Sequence, residues 1–243
     1  MLHSLHCVEK QREQYCHHSE TTSHLNKQEN GEYIMNIAII GSGNIGSGLA
    51  LTFGQTTYNV TIASRHQASA QGVADKLAKA NVTAASIADA VKGADVVFIA
   101  TPYDAVASLA QAADFTNKVV VDVTNPVKAD FSGLSIGFDT SAAEEIQKLL
   151  PQASVLKGFN TVFAQVYEQG LEFEGRKAQT FIAGDNESAK QAVLTLANEA
   201  GFDAVDAGAL TNARYLEPLA YMNIHFGYML GKGTQIIPAW LSR

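Results

Sequence analysis

A chain of 243 residues holds one large domain or two small ones. Its 17 basic and 24 acidic side chains leave a net charge of −7, which argues against nucleic acid held on a basic surface. No apolar run nears the roughly 20 residues that cross a bilayer, and no secretory pattern opens the chain, so no membrane partner is expected and the cytoplasm is the expected compartment.

Residues 1–34 are unlike the remainder. They carry both cysteines, Cys7 and Cys16, and five of the seven histidines: His3, His6, His17, His18 and His24. The spacing of these side chains matches no standard zinc pattern, so no metal is expected. Sparse apolar residues without a helical or strand period predict a disordered extension, with Met35 opening the fold. Beyond it there is no cysteine, which leaves neither a disulfide framework nor a thiol nucleophile.

The fold is expected to start with an apolar strand at 37–40 that stops at Gly41. Gly41, Ser42, Gly43, Asn44, Ile45 and Gly46 then fit G-x-G-x-x-G and lead into a helix over 45–54. Strand, tight turn and helix form the setting in which this pattern binds a dinucleotide pyrophosphate. The glycines permit the turn and close approach of the backbone, and the helix start offers free N–H groups. Strands are predicted at 60–63, 82–86, 95–100 and 118–123, with helices at 67–80, 87–92 and 103–113 between them. Such alternation implies right-handed crossovers and a parallel sheet covered on both faces.

Ligands bind at the carboxyl ends of such strands. The second strand ends in Ser64-Arg65, where an NAD site would offer a carboxylate to the ribose. A guanidinium and a hydroxyl instead suit a 2′-phosphate, which predicts NADP(H). The fourth strand ends in Thr101-Pro102 and the fifth in Thr124-Asn125-Pro126, edges that would face the dinucleotide. Asp122 falls inside an apolar strand and calls for a polar environment, with no chemical role assigned. Further on, a helix is predicted at 141–150, strands at 155–159 and 179–184, a helix at 187–200 and a closing segment at 201–206. An amphipathic helix is expected from 211 to about 230, with Leu216, Leu219, Met222, Phe226 and Met229 as a core or subunit-interface stripe. The apolar tail at 236–241 is expected to be docked.

Several stretches together resemble the F420-dependent NADP oxidoreductase family, whose nucleotide domain is also similar to that of the STEAP metalloreductases. They are IIGSGNIGSGLA, IASR, VVFIATPYDAV, VVVDVTNPV, KGFNTV, GDNESAKQAV and AVDAGALTNARYLEPLA, within residues 35–228. The resemblance implies NADP(H) bound through Ser42, Gly43, Asn44 and Ile45 at the phosphates and Ser64 and Arg65 at the 2′-phosphate. It implies that Thr101-Pro102 and Gly158 lie near the nicotinamide. It also implies hydride transfer to a deazaflavin in a cleft between two domains, chemistry that needs positioning more than an acid–base pair. No catalytic side chain is assigned. FNTVFAQVY at 159–167 departs from the proline-containing stretch of characterised F420 enzymes, in a region that would line the acceptor pocket.

The resulting expectation is a Rossmann-type, doubly wound, mainly parallel sheet over 35–154, with a smaller C-terminal α/β domain over 155–243. The protein is expected to be a homodimeric NADP(H)-dependent reductase acting on a small-molecule redox acceptor. Hydride would pass near Thr101, Asn125, Gly158 and Asn160, with Asn160 and Thr161 touching the acceptor. F420 is the first candidate. A flavin, a quinone, a small carbonyl compound or a metal stays open as acceptor, as does a non-catalytic NADP(H) sensor.

Overall fold

The computed structural model describes residues 34–242, so the histidine- and cysteine-bearing segment and its possible metal set lie outside the described residues. Strand β1 (Asn36–Ile40) alternates its side chains between two layers. Ile37 and Ile39 pack with Leu49 and Phe53 of helix α1 (Asn44–Phe53), and with Ala70 and Ala74 of helix α2 (Gln67–Leu77). Ala38 and Ile40 face the opposite layer, against helices α3 (Ile87–Gly93), α4 (Val106–Ala112) and α5 (Ala142–Leu149). Because both faces are buried, the strands read as apolar runs rather than as polar–apolar alternation.

The other strands are β2 (Asn59–Ala63), β3 (Val82–Ala84), β4 (Val96–Ile99), β5 (Val119–Asp122), β6 (Ser154–Lys157), β7 (Glu172–Phe173), β8 (Arg176–Lys177), β9 (Gln179–Gly184) and β10 (Asp203–Asp206). Among the described residues, eight of these form one sheet in the order β10-β9-β6-β5-β4-β1-β2-β3. From β3 to β6 every pairing is parallel. β9 joins antiparallel to β6, through Leu156↔Gly184 and Lys157↔Ala183, and β10 is parallel to β9. The fold is thus the expected Rossmann-type α/β architecture. Its C-terminal α/β portion, with helix α7 (Glu187–Glu199), extends the same sheet across the 154/155 division.

Three local features depart from the sequence expectations. Helix α6 (Ala164–Gln169) follows β6 and lies on α1, where Gly48 leaves room for the Tyr167 ring; a Cβ at Gly48 would sit 2.8 Å from it. Strands β7 and β8 form a short hairpin whose turn residues, Glu174 and Gly175, both take positive φ. Helix α8 (Ala213–Ile224) stops short of the predicted end at 230 and passes into a π turn, His225–Met229. A π turn rotates later side chains off the helical stripe. Leu216 is buried, whereas Met222, still within α8, and Met229, inside the π turn, are 51 % and 53 % exposed, so the second half of the stripe is not core. In the tail, Ile236 and Ile237 pack against the core, and the Trp240 N–H and C=O are both bonded by the Gln179 amide.

Candidate functional site: a cleft at the strand ends

β2 follows β1 on one side and β4 lies on its other side, so the chain reverses direction across the sheet at the carboxyl ends of β1 and β4. This is where an open α/β sheet leaves a crevice. A cleft of about 280 Å³ lies there, walled by Gly43 and the first residues of α1, Asn44 and Ile45, by Ala100, Thr101 and Pro102 after β4, and by Val123, Thr124 and Asn125 after β5.

The glycines that shape it do different work. Gly41 has φ +130°, and a Cβ there would lie 2.2 Å from the Ala100 carbonyl oxygen. At Gly46 a Cβ would lie 1.8 Å from the Gly41 oxygen, so the turn closes only without side chains at either position. Gly43 meets nothing within 4 Å and opens onto the cleft. No side chain caps the first turn of α1, which leaves its leading N–H groups facing that space.

Beside this turn, the Gly41 N–H donates to the Ala63 carbonyl at 2.8 Å and ties the end of β2 to the fingerprint. Arg65 is exposed there. The Ser64 hydroxyl donates to the His66 carbonyl at 2.8 Å, so its proton is engaged within the turn.

The remaining sequence-nominated residues stand behind the cleft. Gly158 is packed between β5 and β9, where a Cβ would press on Ile182 at 2.6 Å. The buried Phe159 takes φ +60° at the end of β6, a left-handed conformation that costs an aromatic residue about 1–2 kcal/mol. Phe159 also stacks edge-on against Phe98 and Phe202, each 5.4 Å away, which holds it there. The bend it makes brings Asn160 round to Asn125. The two residues exchange hydrogen bonds, Asn125 Nδ2 donating to the Asn160 backbone carbonyl at 2.8 Å and Asn160 Nδ2 donating to Asn125 Oδ1 at 3.0 Å. Asn160 Nδ2 also reaches the Leu216 carbonyl of α8, and the Thr161 carbonyl accepts from Asn223. Of the fourteen nominated residues, Gly43, Asn44, Ile45, Thr101, Pro102 and Asn125 therefore line one cleft. Gly41, Ser42 and Gly46 build its turn, Ser64 and Arg65 flank it, and Gly158, Asn160 and Thr161 support it from behind.

Sequence reasoning missed a buried charge cluster behind the same wall. Lys157 Nζ lies 2.8 Å from Asp122 Oδ2, 2.8 Å from Glu217 Oε1 and 2.6 Å from the Thr124 carbonyl oxygen. All three charged side chains are fully buried. Burial works against the ammonium, but the two carboxylates outweigh it and hold the Lys157 pKa above its ordinary value. Burial pushes the Glu217 carboxyl up, with Lys157 opposing that rise. The available signal was a pair of opposite charges, Asp122 and Lys157, each closing an apolar strand.

Next to this cluster, Arg214 forks onto Glu144, with Nε to Oε2 at 2.9 Å and Nη2 to Oε1 at 2.7 Å. Burial raises the Glu144 carboxyl, but Arg214 and the Ser141 hydroxyl outweigh it and hold it below the usual 4.5. A carboxyl whose folded pKa is lowered stabilises the protein above its unfolded pKa, and that stability is lost as pH falls through the folded value. Glu144→Gln should therefore lower the melting temperature near neutrality and flatten the acid limb, the gap to the wild type closing as pH falls from about 5 towards 3. An unchanged acid limb would remove this pair from the account.

The residues present fit a dinucleotide on two observations. The space over Gly43 would be filled by any side chain there, and the buried Thr124 hydroxyl in the cleft wall has no hydrogen-bond partner among the described residues. Residues 36–126 match the family model described as NADP oxidoreductase coenzyme F420-dependent. The F420-dependent NADP reductase of Methanothermobacter thermautotrophicus is 31% identical over 209 residues, covering 79% of this chain and 89% of that protein. The metalloreductase STEAP3 of Rattus norvegicus is 30% identical over 184 residues, 75% of this chain; the chain spans only 36% of that protein's length. Among solved structures, a putative F420-dependent NADP reductase from Arthrobacter sp. FB24 superposes with a TM-score of 0.71 at 28% identity, covering 82% of this chain and 96% of that one. With the cleft at the strand switch, the glycine turn and this near full-length match, the chain belongs to the F420-dependent NADP oxidoreductase family, a family of NADP-dependent oxidoreductases.

Proposed function

We propose that the protein binds NADP(H) in the cleft over Gly43 and transfers a hydride between NADPH and a deazaflavin of the F420 type. The observation that carries this reading is the juxtaposition of the open glycine turn with Arg65 on the neighbouring strand end, where no carboxylate competes. The N–H groups at the start of α1, with Ser42 and Gly43, would hold the pyrophosphate, and Arg65 would hold the 2′-phosphate. Thr101, Pro102 and Asn125 would then form the walls at the nicotinamide end. When bound, the nicotinamide supplies the hydride chemistry itself. The chain's own residues orient it and keep water from its reacting face. The portion after residue 154 is proposed to complete the acceptor side, a reading supported by the Asn125–Asn160 exchange and by the Asn223 bond to Thr161.

F420 as acceptor is supported by the 31% identity to an F420-dependent NADP reductase over most of both chains. Metal reduction is the second reading, supported by the similar identity to the STEAP3 metalloreductase. The test is NADPH oxidation against F420, FMN, a quinone and ferric citrate. Turnover with F420 well above the rest is the expected result. Turnover confined to ferric iron would replace it with the metal reading. Tight NADPH binding without turnover on any acceptor would make the protein a sensor.

A homodimer is also proposed. The exposed apolar stripe of Met222, Phe226 and Met229 supports it, because patches of this kind mark interaction surfaces. A monomer by analytical ultracentrifugation would overturn it. Among the described residues, no helix is long and apolar enough to cross a membrane.

A further inference from the structure

The buried cluster at Lys157 grips one short piece of backbone from both sides. Asp122 Oδ1 accepts the Thr124 N–H at 2.8 Å, and Lys157 Nζ donates to the Thr124 carbonyl at 2.6 Å. Both backbone polar groups of Thr124 are thus fixed by charged side chains. Those side chains are anchored in turn. Asp122 ends β5, Lys157 ends β6, and Glu217 lies on α8 with its carboxylate accepting the Ala142 and Ala143 N–H groups at the start of α5. Two strands and two helices therefore converge on Thr124. The next residue, Asn125, is the cleft wall, and its side chain is held by Asn160.

Stability is a poor reason for such a cluster. Three buried charges lose more hydration than apolar packing of the same volume would, and replacing them with apolar side chains is often neutral. What apolar side chains lack is a means of holding a carbonyl and an N–H at set positions.

The sheet order says which part of the ligand meets this wall. The glycine turn sits at the end of β1, Arg65 lies on the β2 side, and Thr124-Asn125 lies on the β4–β5 side. A dinucleotide with its pyrophosphate at β1 and its 2′-phosphate at Arg65 therefore extends its nicotinamide toward Thr124 and Asn125.

We propose that Lys157, held by Asp122 and Glu217, is a positioning residue for the nicotinamide half of the cofactor, acting by fixing the Thr124–Asn125 wall from behind. The proposal rests on the NADP(H) reading above. Lys157 itself does not reach the cleft.

The test compares two ligands on two variants. NADPH carries the nicotinamide; 2′-phospho-ADP-ribose carries the same pyrophosphate and 2′-phosphate without it. Glu217→Gln removes one charge and keeps the shape. The combined variant Lys157→Met, Asp122→Asn, Glu217→Gln removes all three charges and leaves no buried carboxylate unpaired. Dissociation constants come from calorimetry, and circular dichroism and thermal melts report folding. In a folded variant, NADPH binding is expected to weaken about tenfold while the fragment stays within roughly twofold of the wild type. Equal weakening of both ligands, or of neither, overturns the positioning role. If neither variant folds, the cluster is a folding element and the positioning role falls. If the wild type binds neither ligand, the NADP(H) reading itself fails, an outcome distinct from unselective variants of a wild type that binds both.

Discussion

Arg65→Ala should weaken NADPH binding about 10- to 100-fold and leave NADH binding unchanged, because a charge-assisted hydrogen bond contributes about 1.5–3 kcal/mol. The geometry concentrates this effect on one side chain. The Ser64 proton already serves the His66 carbonyl, so that hydroxyl offers a phosphate only its lone pairs. Arg65 is exposed and its guanidinium is free to fork onto phosphate oxygens, while the Gly41–Ala63 bond fixes the strand end that carries it. An exposed charge is also screened, so the difference should shrink as salt rises. Titration by NADPH fluorescence in low and high salt measures both. Equal losses for NADPH and NADH would sink the 2′-phosphate assignment.

The glycine turn supplies the second large effect, as a contrast between two substitutions of the same kind. Gly46→Ala places a Cβ 1.8 Å from a backbone oxygen, a clash that no rotamer relieves. The turn must open, which displaces the start of α1 from β1 and should cost about 3 kcal/mol or more. Cofactor binding is expected to vanish with it. Gly43→Ala meets no atom within 4 Å. That variant should melt within a few degrees of the wild type, yet bind NADPH at least about tenfold more weakly, because the added methyl occupies the pyrophosphate's place. Normal affinity in Gly43→Ala would mean that the phosphates do not cross this residue.

The parts of the molecule that were readable in the sequence share a physical cause. Strands buried on both faces must be apolar throughout, so β1, β4 and β5 stand out as runs, and the glycines between β1 and α1 mark a turn that other residues cannot make. Arg65 was readable because its offset from that turn is fixed by one strand–helix–strand unit. The supports behind the cleft depend on partners distant in sequence. Asp122 and Lys157 each close an apolar strand with a charge, but nothing in the chain pairs them, or adds Glu217, until the β5–β6 pairing and the packing of α8 bring them together. Asn160 is a similar case, expected to touch the acceptor and found tying Asn125 to Leu216. The end of α8 was misjudged because a π turn breaks the period on which the stripe was extrapolated.

The antiparallel seam between β6 and β9 has a consequence for timing. A reductase whose two lobes meet through a linker opens and shuts by bending there, and its turnover is gated by that motion. Here hydrogen bonds run without interruption from β3 to β10, so bending at residue 154 would break a ladder in the middle of the sheet. The mouth of the cleft is left to side chains and to the connections after β4 and β5. Cofactor capture should accordingly proceed in one kinetic phase, as a stiff receptacle filling from solution, without a slow isomerisation following encounter.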